Sequence, residues 1–269
     1  MDRRFVKVEK GLGPQGRVAV VHFDRGDNIN ALSQQAMREL RDVPRDFEDD
    51  LETSVVILTG SAKAFCAGFD LKDPEGRQRD SLSVGERIHR QRLGPKMCKA
   101  WQDMDQVTIA AIEGHCIGGG AALVVSLDFR TCGKSAHFRI PEVELGMNMS
   151  WGSIPRMLAL MGPARTKQAV ILASDRISSA EALDWGLVEN VVADGRALAE
   201  AMAFAERIAR QPPIPVRMSK ASVNRMAHAL DDLAAHMDAD QNVLTGLTED
   251  YKEGTSAFRE KRKPVFKGR

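Results

Sequence analysis

Two glycine-containing stretches could supply backbone donors to a negatively charged group. Residues 66–68 are small, so backbone N–H groups there could come close to a ligand. Residues 118–120 are three glycines followed by helix formers, which predicts unpaired N–H groups at the positive end of a helix. Such donors favour a phosphate or a developing oxyanion, although a tight strand–helix turn explains the glycines equally well.

Glu142 is the side chain best suited to move a proton. It follows Pro141 in the otherwise apolar segment 138–146. Burial raises the pKa of a carboxyl group and makes it a useful proton carrier near neutral pH. A surface glutamate in a loop is the plainer interpretation, and composition alone favours it.

Several other kinds of site find no support in the sequence. The triple glycine fits neither the P-loop pattern nor the dinucleotide-binding fingerprint, and no GxSxG nucleophile elbow occurs. The cysteines form no CxxC pair and have no zinc-ligand spacing with histidine. We therefore predict no metal site and four reduced, packed thiols. They are Cys66, Cys98, Cys116 and Cys132.

Alternating strands and helices must position these stretches. Apolar runs predict strands at 5–9, 17–23, 55–58, 108–112 and 129–132. Ser33 is a natural N-cap for a helix that we expect to reach Asp49. The polar region 73–104, with several Gly and Pro residues, is a candidate loop lining a binding site. The alternation predicts βαβ units and an α/β fold.

The pattern becomes helical from Arg176 onward. Ser178 and Glu181 have capping-box spacing, and a strong helix is predicted over 197–210. Helical periodicity continues from Val216 to about Val243. We therefore divide the chain into a mixed α/β core, 1–195, and a helical C-terminal subdomain, 196–269.

Composition excludes some partners. Among 269 residues, 43% are hydrophobic and 28% are charged, which is typical of a soluble globular protein. The net charge of +1 and the 5% aromatic content indicate no nucleic-acid partner. The sequence contains no apolar run of about 20 residues and no signal peptide, so we expect no membrane partner and a cytoplasmic location.

Several motifs in one order resemble the enoyl-CoA hydratase/isomerase (crotonase) family. They are KAFCAGFDLK (63–72), HCIGGGAALVVSLDFR (115–130) and FRIPEVELGM (138–147), followed by the segments 161–168, 175–192 and 253–268. Each motif is weak alone, but the resemblance covers nearly the whole chain. It implies a β-β-α spiral core, a helical C-terminal subdomain used in trimer formation, and a homotrimer or hexamer.

The resemblance also implies roles for individual residues. The backbone N–H groups of Phe69 and Gly119 would form an oxyanion hole, with Glu142 as the catalytic carboxylate. No cofactor is implied, because CoA arrives as part of an acyl-CoA substrate. Lys72, with Lys63 or Arg25, would meet its phosphates. From their residue types alone, Phe69, Trp101 and Trp151 are candidate apolar pocket walls, and Trp151 is alternatively a core residue. The predicted substrate-binding set is Asn30, Ala31, Ala67, Phe69, Asp70, Leu71, Lys72, Gly118 and Gly119.

One departure from the family pattern decides the expected reaction. Family hydratases carry a second glutamate at the position that is Ala122 here. A single carboxylate can still carry a proton between the α and γ carbons of a 3-enoyl thioester, so isomerisation to 2-enoyl-CoA is preferred. The alternatives are an enoyl-CoA hydratase, a decarboxylase or thioester hydrolase, a non-catalytic acyl-CoA binder, and an RNA-binding relative.

Two neighbouring positions bear on the same question. Ser150 stands where dienoyl-CoA isomerases and dehalogenases of the family carry aspartate, which makes those two chemistries less favoured. Glu144 would face away from Glu142 in an extended segment and is interpreted as structural.

The basic tail around Lys267 either reaches a CoA or is a solvated chain end.

Overall fold

The computed structural model describes residues 3–77, 82–173 and 175–269, and two sheets form its frame. The larger sheet has the strand order β1-β2-β3-β5-β7-β10, and the smaller has the order β4-β6-β8-β9. The strands are β1 Val6–Leu12, β2 Val18–Phe23, β3 Val55–Thr59, β4 Ala64–Cys66, β5 Val107–Ile112, β6 His115–Ile117, β7 Phe129–Gly133, β8 His137–Arg139, β9 Ile177–Ser178 and β10 Asn190–Val192.

Strands β2, β3, β5, β7 and β10 run parallel, and β1 pairs antiparallel with β2 at the edge. The central strands are buried on both faces, which explains their continuous apolar runs. Successive side chains along a strand point to opposite faces of the sheet, and each face packs against its own apolar cluster. Val55 and Ile57 pack with one cluster, while Val56 and Leu58 pack with the main core. The α/β prediction is confirmed.

The helices are α1 Gln34–Asp42, α2 Pro74–Arg77, α3 Val84–Gln91, α4 Leu93–Gln102, α5 Gly119–Val124, α6 Ser153–Ile171, α7 Ser179–Asp184, α8 Ala197–Ala209, α9 Pro213–Ala227, α10 Asp231–Ala235, α11 Asp238–Thr245 and α12 Glu249–Glu260. Ser33 caps α1 by accepting a hydrogen bond from the Ala36 N–H, as predicted. The capping box of Ser178 and Glu181 is also present. Helix α1 ends at Asp42 rather than Asp49, because Pro44 starts a 3₁₀ turn.

The region 73–104 is not the loop that we predicted. Where the structure describes it, helices α2, α3 and α4 occupy most of it, while residues 78–81 lie outside the described part. Ser83 and Glu86 form a capping box that starts α3. Trp101 on α4 is fully buried and donates its Nε1–H to the Leu40 carbonyl. It belongs to the core and is not a pocket wall.

Helix α8 covers the second face of the large sheet. Its buried alanines, Ala197, Ala201, Ala205 and Ala209, form the helix side of the second apolar cluster. Their small side chains let the helix lie close to β3 and β5. Helix α8 therefore belongs to the layer that covers the sheet, and the division at 195/196 stays a prediction.

Helices α10, α11 and α12 pack against earlier helical elements of the chain. Helix α10 packs on α6, α11 on α3, and α12 on the 3₁₀ turn Val143–Leu145. Helix α9 keeps Ile214, Met218 and Met226 strongly exposed. The division 196–269 thus contains one sheet-covering helix followed by a helical layer.

The basic tail is folded against α12. Arg262 pairs with Glu253, and the backbone N–H groups of Lys267 and Gly268 donate to the Asp250 carboxylate over 2.7 and 2.8 Å. This ion pair and a backbone donor at Val265 lower the pKa of Glu253 to about 2. The tail is therefore not a freely solvated end, while contact with a CoA remains a prediction.

All four cysteines are free and buried. Burial raises the pKa of Cys66 and Cys132 to about 12 and that of Cys98 to about 11, and it raises the pKa of Cys116 well above its usual value. Within the described residues, no helix has the length and apolar character needed to cross a bilayer. The same residues contain no His, Cys, Asp or Glu cluster that could hold a metal ion.

Candidate active site

The small sheet brings the three chemically interesting stretches together. Strands β4, β6 and β8 are parallel neighbours in that order. The chain leaves β4 into residues 67–69, leaves β6 into the glycine turn 118–120, and leaves β8 toward Glu142. Because the carboxyl ends of parallel strands share one edge, all three stretches meet there, with the glycine turn in the middle.

The two glycine stretches touch through their backbones. Gly68 has φ +84° and Gly118 has φ +51°, conformations that favour glycine. A Cβ atom added at Gly68 would lie 2.8 Å from the Ile117 carbonyl oxygen and 3.4 Å from the Gly119 nitrogen. No side chain can be accommodated between these turns without moving one of them.

The two backbone donors predicted for an oxyanion are available. Phe69 forms a parallel bridge with Leu32 that uses the Gly68 carbonyl and the Asp70 N–H, which leaves the Phe69 N–H unused. Gly119 is the first residue of α5, where an N–H has no partner within the helix. Within the described residues, neither group donates a recorded hydrogen bond. The backbone thus provides two free donors at adjoining turns.

Glu142 lies beside the glycine turn. A Cβ atom on Gly118 would be only 2.7 Å from Glu142 Oε1, and Glu142 Oε2 is shielded from solvent with no hydrogen-bond partner. Burial raises the pKa of this carboxyl to about 7, opposed more weakly by a backbone donor and by Arg139. A half-buried carboxyl with a free oxygen and a pKa near neutrality can accept or donate a proton.

The loop preceding α1 reaches the site through Asn30 and Arg25. Asn30 is 1% exposed, and its side-chain amide donates to the Phe23 and Phe65 carbonyls at 2.6 and 3.0 Å. Its Oδ1 accepts from the Arg25 N–H. This side chain is engaged within the protein and fixes the loop, while contact of Asn30 with a substrate stays a prediction.

Arg25 is likewise committed to the protein. Its guanidinium donates to Asp70 Oδ2 at 2.7 Å and to the Ala31 carbonyl at 2.8 Å, and it lies 3.4 Å from Asp27. Asp70 also accepts from the Lys72 N–H at 2.9 Å. Arg25 therefore joins the two segments predicted to bind CoA and is less suited to meet a phosphate than we expected.

The remaining predicted binding residues differ in exposure. Phe69 and Leu71 are large apolar side chains that are 38% and 40% exposed. Lys72 and Lys63 are exposed, and Ala31 and Ala67 are half-buried. Their contact with CoA remains a prediction.

Three further positions discussed from the sequence, Ala122, Glu144 and Ser150, lie near the site. Ala122 is 1% exposed on α5 and contributes no carboxylate. Glu144 lies in a 3₁₀ turn rather than an extended segment, and it forms an ion pair with Arg139. Its predicted structural role stands, but for this different reason. Ser150 is buried, and its carbonyl accepts from the Ser153 hydroxyl at 2.6 Å.

Sequence reasoning missed two buried arginines that support the site. Arg156 is 4% exposed and donates to the Trp151 carbonyl and to Gln102 Oε1. Arg130 is 1% exposed and pairs with Glu189 at 2.6 Å. Arg130 also donates to four backbone carbonyls, those of Val124, Leu127, Asp128 and Leu187. Neither residue belongs to a short motif, so only their tertiary contacts could identify them.

Comparison with known proteins places this site in a family. A family model described as enoyl-CoA hydratase/isomerase matches residues 13–269. The chain belongs to the enoyl-CoA hydratase/isomerase family. It is 35% identical to a crotonyl-CoA hydratase of Syntrophomonas wolfei, with 95% of this chain and 96% of that protein covered. It is 33% identical to a short-chain-enoyl-CoA hydratase of Clostridium acetobutylicum, covering 94% and 95%.

A solved structure agrees in fold. An enoyl-CoA hydratase from Mycobacterium avium subsp. paratuberculosis superposes with a TM-score of 0.85, at 21% identity, over 99% of this chain and all of the other. The crotonase-like fold inferred from the motifs is therefore confirmed, and the protein is an enzyme of the enoyl-CoA hydratase/isomerase family.

Replacing Arg25 by alanine is expected to weaken substrate binding more than turnover. The variant loses the bonds that join Ala31 to Asp70, so that the predicted CoA-binding segments separate. We expect KM for an acyl-CoA to rise about tenfold and kcat to change less than about threefold. Steady-state kinetics measure both. Arg38→Ala, which removes an exposed pair with Glu75, is the control and should change neither. An unchanged KM for Arg25→Ala would contradict this role.

The Glu142→Gln variant is expected to lose the pH dependence of stability that Glu142 causes. Since the folded pKa is raised from 4.5 to about 7, the folded protein binds more protons in that window, and wild-type stability falls as pH rises through it. A neutral glutamine avoids the free energy that is needed to bury an ionised carboxylate at this position. The variant should therefore exceed wild type by about 1–2 kcal/mol at pH 8, after allowance for partial exposure, and match it below pH ~4.5. Urea unfolding at both pH values measures this difference, and a constant difference would refute the assignment.

Proposed function

We propose that the protein is an enoyl-CoA hydratase that works with one carboxylate. The observation that carries the proposal is the placement of Glu142, with a free oxygen and a pKa of about 7, beside the two free backbone donors of Phe69 and Gly119. The names of the relatives, crotonyl-CoA hydratase and short-chain-enoyl-CoA hydratase, favour hydration over the isomerisation that we preferred from sequence.

The proposed reaction proceeds in two proton transfers. Glu142 takes a proton from water as the water oxygen bonds to the β carbon of a 2-enoyl thioester. The electrons of the double bond move onto the thioester oxygen, where the N–H groups of Phe69 and Gly119 stabilise the enolate. Each such donor contributes about 3–4 kcal/mol in comparable oxyanion holes. Protonated Glu142 then returns the proton to the α carbon, which balances the addition of water.

Isomerisation of 3-enoyl-CoA is the second candidate. It is favoured by Ala122, because no other carboxylate replaces the missing glutamate on α5. In this reaction Glu142 removes a proton from the α carbon and delivers it to the γ carbon through the same enolate. The two candidates use one site and one proton carrier, so that only the substrate distinguishes them.

Mass spectrometry of the products tests both candidates. The purified protein is incubated separately with trans-2-enoyl-CoA and with 3-enoyl-CoA. Hydration adds one water to the 2-enoyl substrate, whereas isomerisation converts the 3-enoyl substrate at unchanged mass. Conversion of the 3-enoyl substrate without hydration of the 2-enoyl substrate would overturn the hydratase proposal. Absence of both reactions would refute enolate chemistry on these substrates.

Association of several copies is also proposed. The exposed apolar side chains of α9, including Met218 and Val223, support it, because a monomer gains nothing from exposing them together. Light scattering on the purified protein would measure the mass, and we expect a trimer or hexamer. A monomeric mass at micromolar concentration would contradict this expectation.

A further inference from the structure

Trp151 has an unusual backbone conformation for its size. Its φ is +64°, and Gly152 after it has φ +65°. A bulky residue adopts this left-handed conformation at an energetic cost and only where its surroundings hold it there.

The peptide between Trp151 and Gly152 is held at both ends by charged side chains. Arg156 Nη1 donates to the Trp151 carbonyl at 2.9 Å, and the Gly152 N–H donates to Asp238 Oδ2 at 2.7 Å. Arg156 is itself oriented by Gln102 Oε1 at 2.5 Å. Since Asp238 begins α11 and Gln102 ends α4, two separate elements fix the direction of the indole.

The indole lies between two glycines on opposing helices. A Cβ atom added to Gly94 on α4 would overlap Trp151 Cε2, and one added to Gly119 on α5 would lie 2.6 Å from Trp151 Cζ3. Only hydrogen atoms fit at both positions. The six-membered ring therefore packs directly over Gly119, whose N–H is a proposed oxyanion donor.

Glu142 and Trp151 flank the same turn on two sides. The missing Cβ of Gly118 points toward Glu142 Oε1, while that of Gly119 points toward the indole. In the proposed reaction, a thioester oxygen bound at the Gly119 N–H would place its acyl chain next to both groups. The carboxyl must reach the α carbon, so the indole bounds the space left for the rest of the chain.

We propose that Trp151 is a specificity-determining residue that closes the acyl pocket and selects short acyl chains. This inference rests on the proposed acyl-CoA function. The ring cannot swing aside as an unbranched side chain could, because it packs against Gly94 and Gly119 while the Arg156 and Asp238 bonds hold its backbone. Longer acyl groups then meet the indole, and such pockets discriminate about 10–200-fold per misplaced methylene group.

The Trp151→Gly variant tests this role directly. Glycine adopts φ +64° without strain, so that the substitution removes the side chain and leaves the backbone favoured. The ratio of kcat/KM for a C8 enoyl-CoA to that for a C4 enoyl-CoA is measured in both proteins. We expect this ratio to rise at least about tenfold in the variant. An unchanged ratio with both proteins active would overturn the specificity role and leave the proposed function intact. No turnover of either substrate by wild type would instead refute the proposed function, and this inference with it.

Gly94 offers a second test through coupling. Gly94→Ala places a methyl group into the indole and is expected to lower C4 turnover about tenfold in the wild-type background. In the Trp151→Gly background the methyl group has space, so the same change should have little effect. Gly85→Ala is the matched control on α3, because an added Cβ there meets nothing within 4 Å. Equal losses from Gly94→Ala in both backgrounds would contradict the proposed packing. Circular dichroism and thermal melting verify that each variant is folded.

Discussion

The Glu142→Gln variant should retain the fold and lose about 10³-fold or more in kcat, with little change in KM. Glutamine has nearly the same shape but cannot take a proton from water or from a carbon acid. In the wild-type protein, kcat/KM should rise about tenfold per pH unit below about 7 and then level, because the base must be ionised. Stopped-flow or steady-state assays across this range measure both effects.

Glu144→Gln is the control for this experiment. Glu144 lies two residues away, but its carboxylate is paired with Arg139 rather than left free. We expect it to retain kcat within about fivefold of wild type, since it touches no reacting atom in the proposed reaction. If Glu142→Gln keeps more than about a tenth of wild-type turnover, Glu142 is not the proton carrier and another group must be sought.

Replacing Arg130 by alanine should produce the largest loss of stability, about 3–5 kcal/mol. The substitution leaves Glu189 with only the backbone N–H of residue 130 as a partner, and it deprives four buried or part-buried backbone carbonyls of a donor. Two of these carbonyls lie at the end of α5, since Val124 is its last residue and Leu127 follows it. Since α5 begins at Gly119, we also expect the remaining folded variant to show reduced turnover. Urea unfolding and activity assays below the unfolding midpoint separate these effects.

A surface arginine provides the comparison. Arg210 lies 3.8 Å from Glu206 across one helical turn, and both side chains are exposed. Arg210→Ala should change stability by less than about 0.5 kcal/mol, because solvent screens such pairs. If the Arg130 and Arg210 variants unfold at the same urea concentration, the network around Arg130 does not stabilise the fold as the geometry indicates.

The sequence was sufficient for the long elements, and it singled out the three stretches that the structure brings together at one end of the small sheet. Apolar strands such as β3 and β5 and capping signals such as Ser33 are local features, and local features are what sequence patterns carry. Glu142 was noticed as a carboxylate in an apolar segment, and the family resemblance implied its catalytic role, which stays a prediction. Its neighbours across the small sheet could not be derived this way, since β4, β6 and β8 have only three residues each.

Tertiary context decided the features that sequence patterns do not carry. The Asn30 side-chain amide donates to carbonyls in two separate segments, those of Phe23 and Phe65, and no local sequence pattern predicts these bonds. Helix α8 looked like part of the C-terminal subdomain because helices continue after it. Its alanine face identifies it as a sheet-covering helix only once β3 and β5 are known to present a second apolar surface.

The four cysteines of the native protein are expected to react very slowly with thiol reagents, because all of them are buried. Alkylation requires a thiolate that the reagent can reach, and here burial both blocks access and raises the pKa of each thiol. The fraction of molecules that a maleimide modifies would therefore measure the fraction in which the structure around a cysteine has locally unfolded. The sulfur atoms report on different places, since Cys66 and Cys116 belong to the paired strands β4 and β6 at the site, while Cys98 lies on α4. Mass spectrometry after timed labelling would reveal which region opens first, with no engineered probe.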